Sequence, residues 1–118
     1  MLPKLRDVHV NNLRNHGYDS LKEWTANPNH LYIGRRNLFV EGAEQSKYHN
    51  PYTVKKYGLE QALRLYYEDW KDKDLTELLK YKEIGCWCCD YDDIPKTLEA
   101  CKCHGQVLLL ILSKQILN

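Results

Sequence analysis

The sequence predicts an α/β fold: a small single-domain sheet of about three to four short strands packed by about four to five helices. Three observations carry this. Runs of β-forming residues, "HLYIG" at 30–34 and "KEIGCW" at 82–87, alternate with stretches whose apolar residues recur every three or four positions, at 59–70 and 105–117. The chain has 118 residues, the size of one domain, spanning 1–118 with a long loop at 41–57 and a Cys-rich segment at 85–105. Its 43% hydrophobic and 28% charged residues are those of a chain that folds around one core, which sets disorder and fibrous designs aside.

Taken in order, Asp7 to Leu13 alternates, with Val8 and Val10 on one side, and reads as a first strand. Asp19 or Ser20 can cap a helix from Leu21 to about Ala26, with Glu23 where a capping box wants it. "HLYIG" is the second strand, delivering Arg35 and Arg36 to its carboxyl end, and "NLFV" at 37–40 reads as a third short strand or an extended edge. Leu59, Ala62, Leu63, Tyr66 and Trp70 mark an amphipathic helix. A short helix follows at 75–79 with Asp74 near its start. Lys82 to Trp87 is a central strand, Pro95 to Ala100 one or two helical turns, and Gly105 to Leu117 a strongly apolar last helix.

Several function classes are set aside by composition. Met1 to Arg6 lacks the pattern of a secretory leader, and the longest apolar run, Val107 to Leu112, is far short of a membrane span, so an intracellular, cytoplasmic protein with no membrane contact is expected. Five cysteines, an odd number in such a compartment, argue for metal binding or chemistry over a disulfide framework. A formal net charge of +1 gives no global field toward nucleic acid, so any basic site is local.

All five cysteines fall in "GCWCCDYDDIPKTLEACKCHG". Cys86 and Cys88 sit two apart on a strand and project to one face, while Cys101, Cys103 and His104 arrive together after a loop. Three readings stay open. Zinc takes four thiolate or imidazole ligands, and Cys86, Cys88, Cys103 and His104 supply them, with Cys89 or Cys101 as alternates. Alternatively, Cys86 and Cys101 are small buried hydrophobes. Or Cys103 and His104, at the start of the last helix, support thiolate chemistry, with Cys88 as a further candidate nucleophile. Asp90, Asp92 and Asp93 lack the spacing of a calcium loop and read as a solvated acidic loop.

Arg35, after a glycine at a strand end, is placed to clamp a phosphate or carboxylate, and Arg36 either does the same or stands in solvent. From Asn29 to Gly58 there are five Lys or Arg against two Glu, and "SKYHNPYTVKKYG" interleaves Lys55 with Tyr52, a pattern that can grip phosphates and stack bases. Tyr52 can equally pack on Trp70, and Asn50, before Pro51, can lock a turn or address a ligand.

Four blocks, "VHVNNLR" at 8–14, "NPNHLYIGRR" at 27–36, "SKYHNPYTVKKYG" at 46–58 and "IGCWC…CHGQVL" at 84–108, together resemble the family catalogued as domain of unknown function 4326. Its members occur in phages, bacteria and large DNA viruses. The resemblance implies a compact α/β domain and a virus-infected host cell or virion as a further location. This chain departs from the family by inserting "CDYDDIPKTLEA", with Cys89 and Cys101, and by carrying Gln106 where the family commonly has Asp.

An open α/β sheet brings the carboxyl ends of its strands to one edge, which would gather Arg35, Asn50, Trp87, Cys88, Cys103 and His104 around one crevice. Three functions follow as expectations. The first is a zinc-stabilised module binding a phosphate-containing partner, nucleotide or nucleic acid, through Arg35 and the Lys55 region. The second is an enzyme on a nucleotide-like molecule using Cys103 or Cys88, with Arg35 as anion clamp and His104 as acid or base. The third is a viral or phage accessory protein acting by protein contact, with the apolar last helix as a homodimer surface.

Overall fold

The computed structural model describes residues 2–88, 90 and 94–117. A three-stranded parallel sheet, ordered β1-β3-β2, is formed by β1 (Lys4–Asp7), β2 (His30–Tyr32) and β3 (Glu83–Cys86). Among the described residues five α-helices accompany it: α1 (Val10–Asn15), α2 (Leu21–Thr25), α3 (Val54–Tyr57), α4 (Leu59–Trp70) and α5 (His104–Leu117). Short 3-10 turns lie at Thr76–Lys80 and Leu98–Ala100. This is the α/β class that the alternation of strand-like and helix-like stretches predicts.

The two-residue period of β3 divides the core. Register places Leu5 and Leu31 beside Ile84, and Arg6 and Tyr32 beside Gly85. Ile84 and Cys86 join the larger core with Leu5, Ile33, α4 residues Leu63 and Tyr66, and the buried run of α5 from Val107 to Leu112. The other face carries Val8, Leu13, Leu21, Trp24, Tyr32 and Ala43. Gly85 points toward that face, where a Cβ would stand 2.5 Å from Val8 and 2.6 Å from the Trp24 ring. At Gly105 a Cβ would meet Leu5 at 2.6 Å, so the missing side chain lets the start of α5 lie directly on the sheet.

Helices α2, α4 and α5 fall where they are expected, whereas α3 occupies the end of the stretch 41–57 expected to be loop, because Thr53 caps it by accepting the Lys56 amide at 3.2 Å. Ser20 caps α2, its Oγ accepting from the Glu23 amide at 3.1 Å, while Glu23 reaches back past Ser20 to accept the Asp19 amide at 3.3 Å. The helix expected at 75–79 tightens to a 3-10 turn, with Asp74 accepting the Thr76 amide at 2.9 Å.

Two strand assignments are corrected. The first strand ends at Asp7 instead of beginning there, because the Asp7 carboxylate accepts the His9 amide at 3.0 Å and Asn12 donates to the Asp7 carbonyl at 2.8 Å, folding the chain into α1. Val8 is buried, while Val10 turns outward. "NLFV" is a turn: Asn37 accepts the Phe39 amide through its side chain at 3.0 Å and the Val40 amide through its carbonyl at 3.2 Å. Among the described residues, no helix is long and apolar enough to cross a membrane.

Candidate metal centre and adjoining cleft

The sheet's carboxyl edge assembles the site. The Ile33 amide donates to the Gly85 carbonyl at 2.9 Å, carrying the β2–β3 pairing one residue past Tyr32 before the chain turns at Gly34. β3 stops at Cys86, so Trp87 and Cys88 emerge at this edge, and α5 begins here at His104. A cleft of about 780 Å³ opens between them. Arg35, Asn50, Trp87, Cys88, Cys103 and His104 all line it, as do Arg36, Tyr52 and Lys55.

At its head the sulfurs of Cys86, Cys88 and Cys103 lie within 4.8 Å of one another, a donor set that can hold a metal ion. Cys86 and Cys103 are buried and Cys88 is exposed. The Cys86 thiol donates to Cys103 Sγ at 3.8 Å. Hydrogen bonds from the Cys103 and Cys86 thiols hold Cys88 down, to about 3. Cys103 is lowered by the bond it receives from Cys86, but donation to Cys88 and burial outweigh this and push it up to about 12. Hydrogen bonding to Cys103 and Cys88, with burial, raises Cys86 well above the ordinary thiol range. The cluster therefore takes its first negative charge on Cys88.

Cys103 also starts α5. Its carbonyl accepts from the Gln106 and Val107 amides at 3.1 and 3.4 Å, and the Gln106 amide also bonds its sulfur. Gln106 Oε1 in turn accepts the Lys102 amide. The sulfur thus stands where a capping hydroxyl usually does, and Gln106 reaches back to the residue before Cys103, which gives this buried side chain a structural task.

His104 Nε2 donates to the Ile33 carbonyl at 2.8 Å, which leaves Nδ1 as the nitrogen able to accept or ligate. Burial pushes its imidazole down toward the neutral form. Its ring nitrogens lie outside the three-sulfur group. Cys101 turns elsewhere: it is buried, donates to the Thr97 carbonyl at 3.6 Å, and is pushed up to about 11 by burial. Cys89 lies outside the described residues, as do Asp92 and Asp93.

Asp90, the described member of the acidic stretch, is exposed as expected, but it is also tied down. It accepts from the Asp7 amide at 2.7 Å and from Asn12 Nδ2 at 3.0 and 3.1 Å, and pairs with Arg6 at 3.2 Å and His16 at 3.4 Å. The start of the inserted segment is thereby fastened to β1 and α1.

Arg35 holds the loop that forms the opposite wall, Nε donating to the Asn50 carbonyl at 2.7 Å and Nη2 to the Tyr52 carbonyl at 3.3 Å. Asn50 locks this turn through its side chain: Oδ1 accepts the Tyr52 amide at 2.9 Å and Nδ2 donates to the Ala62 carbonyl at 3.5 Å. Tyr52 donates to Asp69 at 2.8 Å; the rings packed on Trp70 are those of Tyr48, at 5.1 Å, and Tyr66, at 6.1 Å. Trp87 Nε1 donates to the Tyr32 hydroxyl at 2.7 Å, which donates to the Arg35 carbonyl at 2.5 Å, joining the two walls.

Sequence reasoning missed Leu38, Phe39 and Lys102 at the cleft and the contact of His9 with Trp87, ring centroids 4.9 Å apart. Arg35, Arg36, Lys55 and Lys102 line the cleft, and no carboxylate among the described residues does.

A three-sulfur cluster at the carboxyl edge of a parallel sheet, facing a basic cleft, defines a cysteine-clustered α/β protein. Residues 18–114 match the family described as Domain of unknown function (DUF4326), and the chain belongs to that family. The block at 8–14 precedes the matched region. An uncharacterized protein of Acanthamoeba polyphaga mimivirus is 38% identical over 86 residues, 67% of this chain. The match spans 63% of that relative, less than two thirds of its length. No solved structure matches the chain.

Proposed function

We propose that the protein is a zinc-stabilised α/β module that binds a phosphate-containing ligand, nucleotide or nucleic acid, in the cleft beside its cysteine cluster. The observation that carries this reading is that three convergent sulfurs and four cations share one cleft that no carboxylate among the described residues lines.

Zinc suits the donors. A tetrahedral site with Zn–S bonds of about 2.3 Å has sulfur-to-sulfur edges of about 3.8 Å, and the Cys86 and Cys103 sulfurs are 3.8 Å apart. Metal-bound histidines commonly donate their second ring nitrogen to a backbone carbonyl, the bond His104 makes to Ile33. Cys86, Cys88 and Cys103 would then hold the ion, whose contribution is a cross-link from the end of β3 to the start of α5; His104 Nδ1, outside the three-sulfur group as placed, would join them as fourth ligand by a turn of its side chain. For the ligand, Arg35 retains guanidinium donors beyond the two it gives the loop. Among the described residues Arg36, Lys55 and Lys102 pair with no carboxylate.

Titration of the zinc-loaded chain with pyrophosphate tests the ligand half. Saturable binding that weakens with salt and with Arg36→Ala or Lys55→Ala is expected; binding that neither substitution alters would overturn it.

A second reading rests on Cys88, the exposed sulfur of the three, which faces the cleft. Here the protein is an enzyme on a nucleotide-like molecule, with Cys88 as thiolate nucleophile, Arg35 as anion clamp and His104 as acid or base. Alkylation of Cys88 that added zinc does not slow would favour it; protection by zinc favours the first.

A further inference from the structure

We infer that the ligand is a single nucleotide whose base lies against Phe39 while its phosphate meets the cations of the cleft. This rests on the reading of the cleft as a phosphate site and names the ligand's other half. Phe39 is 98% exposed and Leu38 78%, and both line the cleft. Val54, 56% exposed, and Leu59, 41% exposed, also line it, from α3 and α4. So much bare apolar surface around one opening marks a binding site rather than chance exposure.

The turn that carries Phe39 is built to hold it there. The Asn37 amide donates to the Ala43 carbonyl at 2.9 Å and the Ala43 amide to the Val40 carbonyl at 3.2 Å. Gly42, at φ +91°, lies so close to α2 that a Cβ would stand 2.9 Å from the Lys22 Cα. A ring presented on a bonded turn loses little conformational entropy when it is covered.

Among the described residues the lining thus combines bare apolar groups with cations that pair with no carboxylate, and holds no acid. Free phosphate has no use for the apolar part, and a purely apolar ligand has none for Arg36, Lys55 and Lys102. A nucleotide satisfies both, because every base has a π-face that an aromatic ring can stack on. At about 780 Å³ the cleft has the dimensions of a small-molecule site, whereas a nucleic-acid strand needs a groove that continues past one unit.

The test titrates the full-length, zinc-loaded chain calorimetrically with adenosine, guanosine, cytidine and uridine monophosphates, with ribose phosphate, and with oligothymidylate, for the wild type and Phe39→Ala. The exposure of Phe39 means the variant keeps its fold. At least one monophosphate is expected to bind roughly tenfold tighter than ribose phosphate, and Phe39→Ala to erase that margin while leaving ribose phosphate unchanged. Equal binding of nucleotide and ribose phosphate by the wild type, or a margin that survives Phe39→Ala, would overturn the inference and leave the phosphate site standing. Failure of every phosphate to bind would overturn both. Oligothymidylate binding roughly tenfold tighter than the best monophosphate, or a Phe39-dependent dimer in light scattering, would assign the surface to a strand or to a second copy instead.

Discussion

The sulfurs of Cys86, at the end of β3, and Cys103, at the head of α5, lie 3.8 Å apart across seventeen residues of chain. Cys103 thus belongs to the donor set proposed to hold zinc, and its sulfur also takes the Gln106 amide at the head of α5. The two roles separate by substitution. Cys103→Ser and Cys103→Ala should both lose zinc, but zinc-free Cys103→Ser should be more stable than zinc-free Cys103→Ala by about 1 kcal/mol, since a hydroxyl caps and a methyl does not. Urea unfolding in chelator measures the difference.

Proton release follows from the ionisation order within the cluster. At neutral pH Cys88, held down to about 3, is already a thiolate, while Cys103, pushed up to about 12, and Cys86, also raised, keep their protons. Zinc ligates thiolates, so uptake should release two protons per ion instead of three. Calorimetry in buffers of different ionisation enthalpy counts them.

Gly85→Ala should cost about 1–3 kcal/mol, because the new methyl meets Val8 and Trp24 inside the smaller core. Chemical denaturation checks this, and the purified variant should retain its zinc, since Gly85 faces away from the sulfurs.

Asn50 is 7% exposed and is bonded to the Tyr52 amide and to the Ala62 carbonyl. Asn50→Ala leaves the part-buried Tyr52 amide without its side-chain partner, while the Ala62 carbonyl keeps its bond within α4, and should cost about 1 kcal/mol. Hydrogen exchange should show lost protection at the Tyr52 amide and nearby, with β1 and β3 unchanged.

Glu83 should contribute to the acid sensitivity of the fold, beside Asp74, Glu77 and Asp90, whose carboxyls are also lowered. Burial pushes the Glu83 carboxyl up, but the Arg6 hydrogen bond and charge outweigh this and leave it below the ordinary range. Because the folded value is the lower one, this stabilisation is full above the unfolded carboxylate value, about 4.3, and is lost as pH falls through the depressed folded value. Glu83→Gln should flatten the acid limb of the stability profile, read from urea midpoints across that window.

The sequence discloses what short-range patterns encode. The 3.6-residue period of α4, the apolar run of α5 and the Ser20–Glu23 cap are local, and so is the spacing that sends Cys86 and Cys88 to one side. Features set by a single polar side chain against the prevailing pattern were hidden. Asp7 and Asn12 turn an alternating stretch into α1, and Asn37 turns "NLFV" outward, so Phe39 looks like a strand residue until the turn is seen. Asp90 was illegible for another reason: its partners Asp7 and Asn12 lie 83 and 78 positions away.

Zinc content is the most direct measurement. The protein, purified under reducing, chelator-free conditions, should carry roughly one zinc per chain, and Cys86→Ser, Cys88→Ser and Cys103→Ser should each lose it. Wild-type protein holding less than about 0.2 zinc per chain, or serine variants that retain the ion, would contradict the metal centre proposed at the head of the cleft.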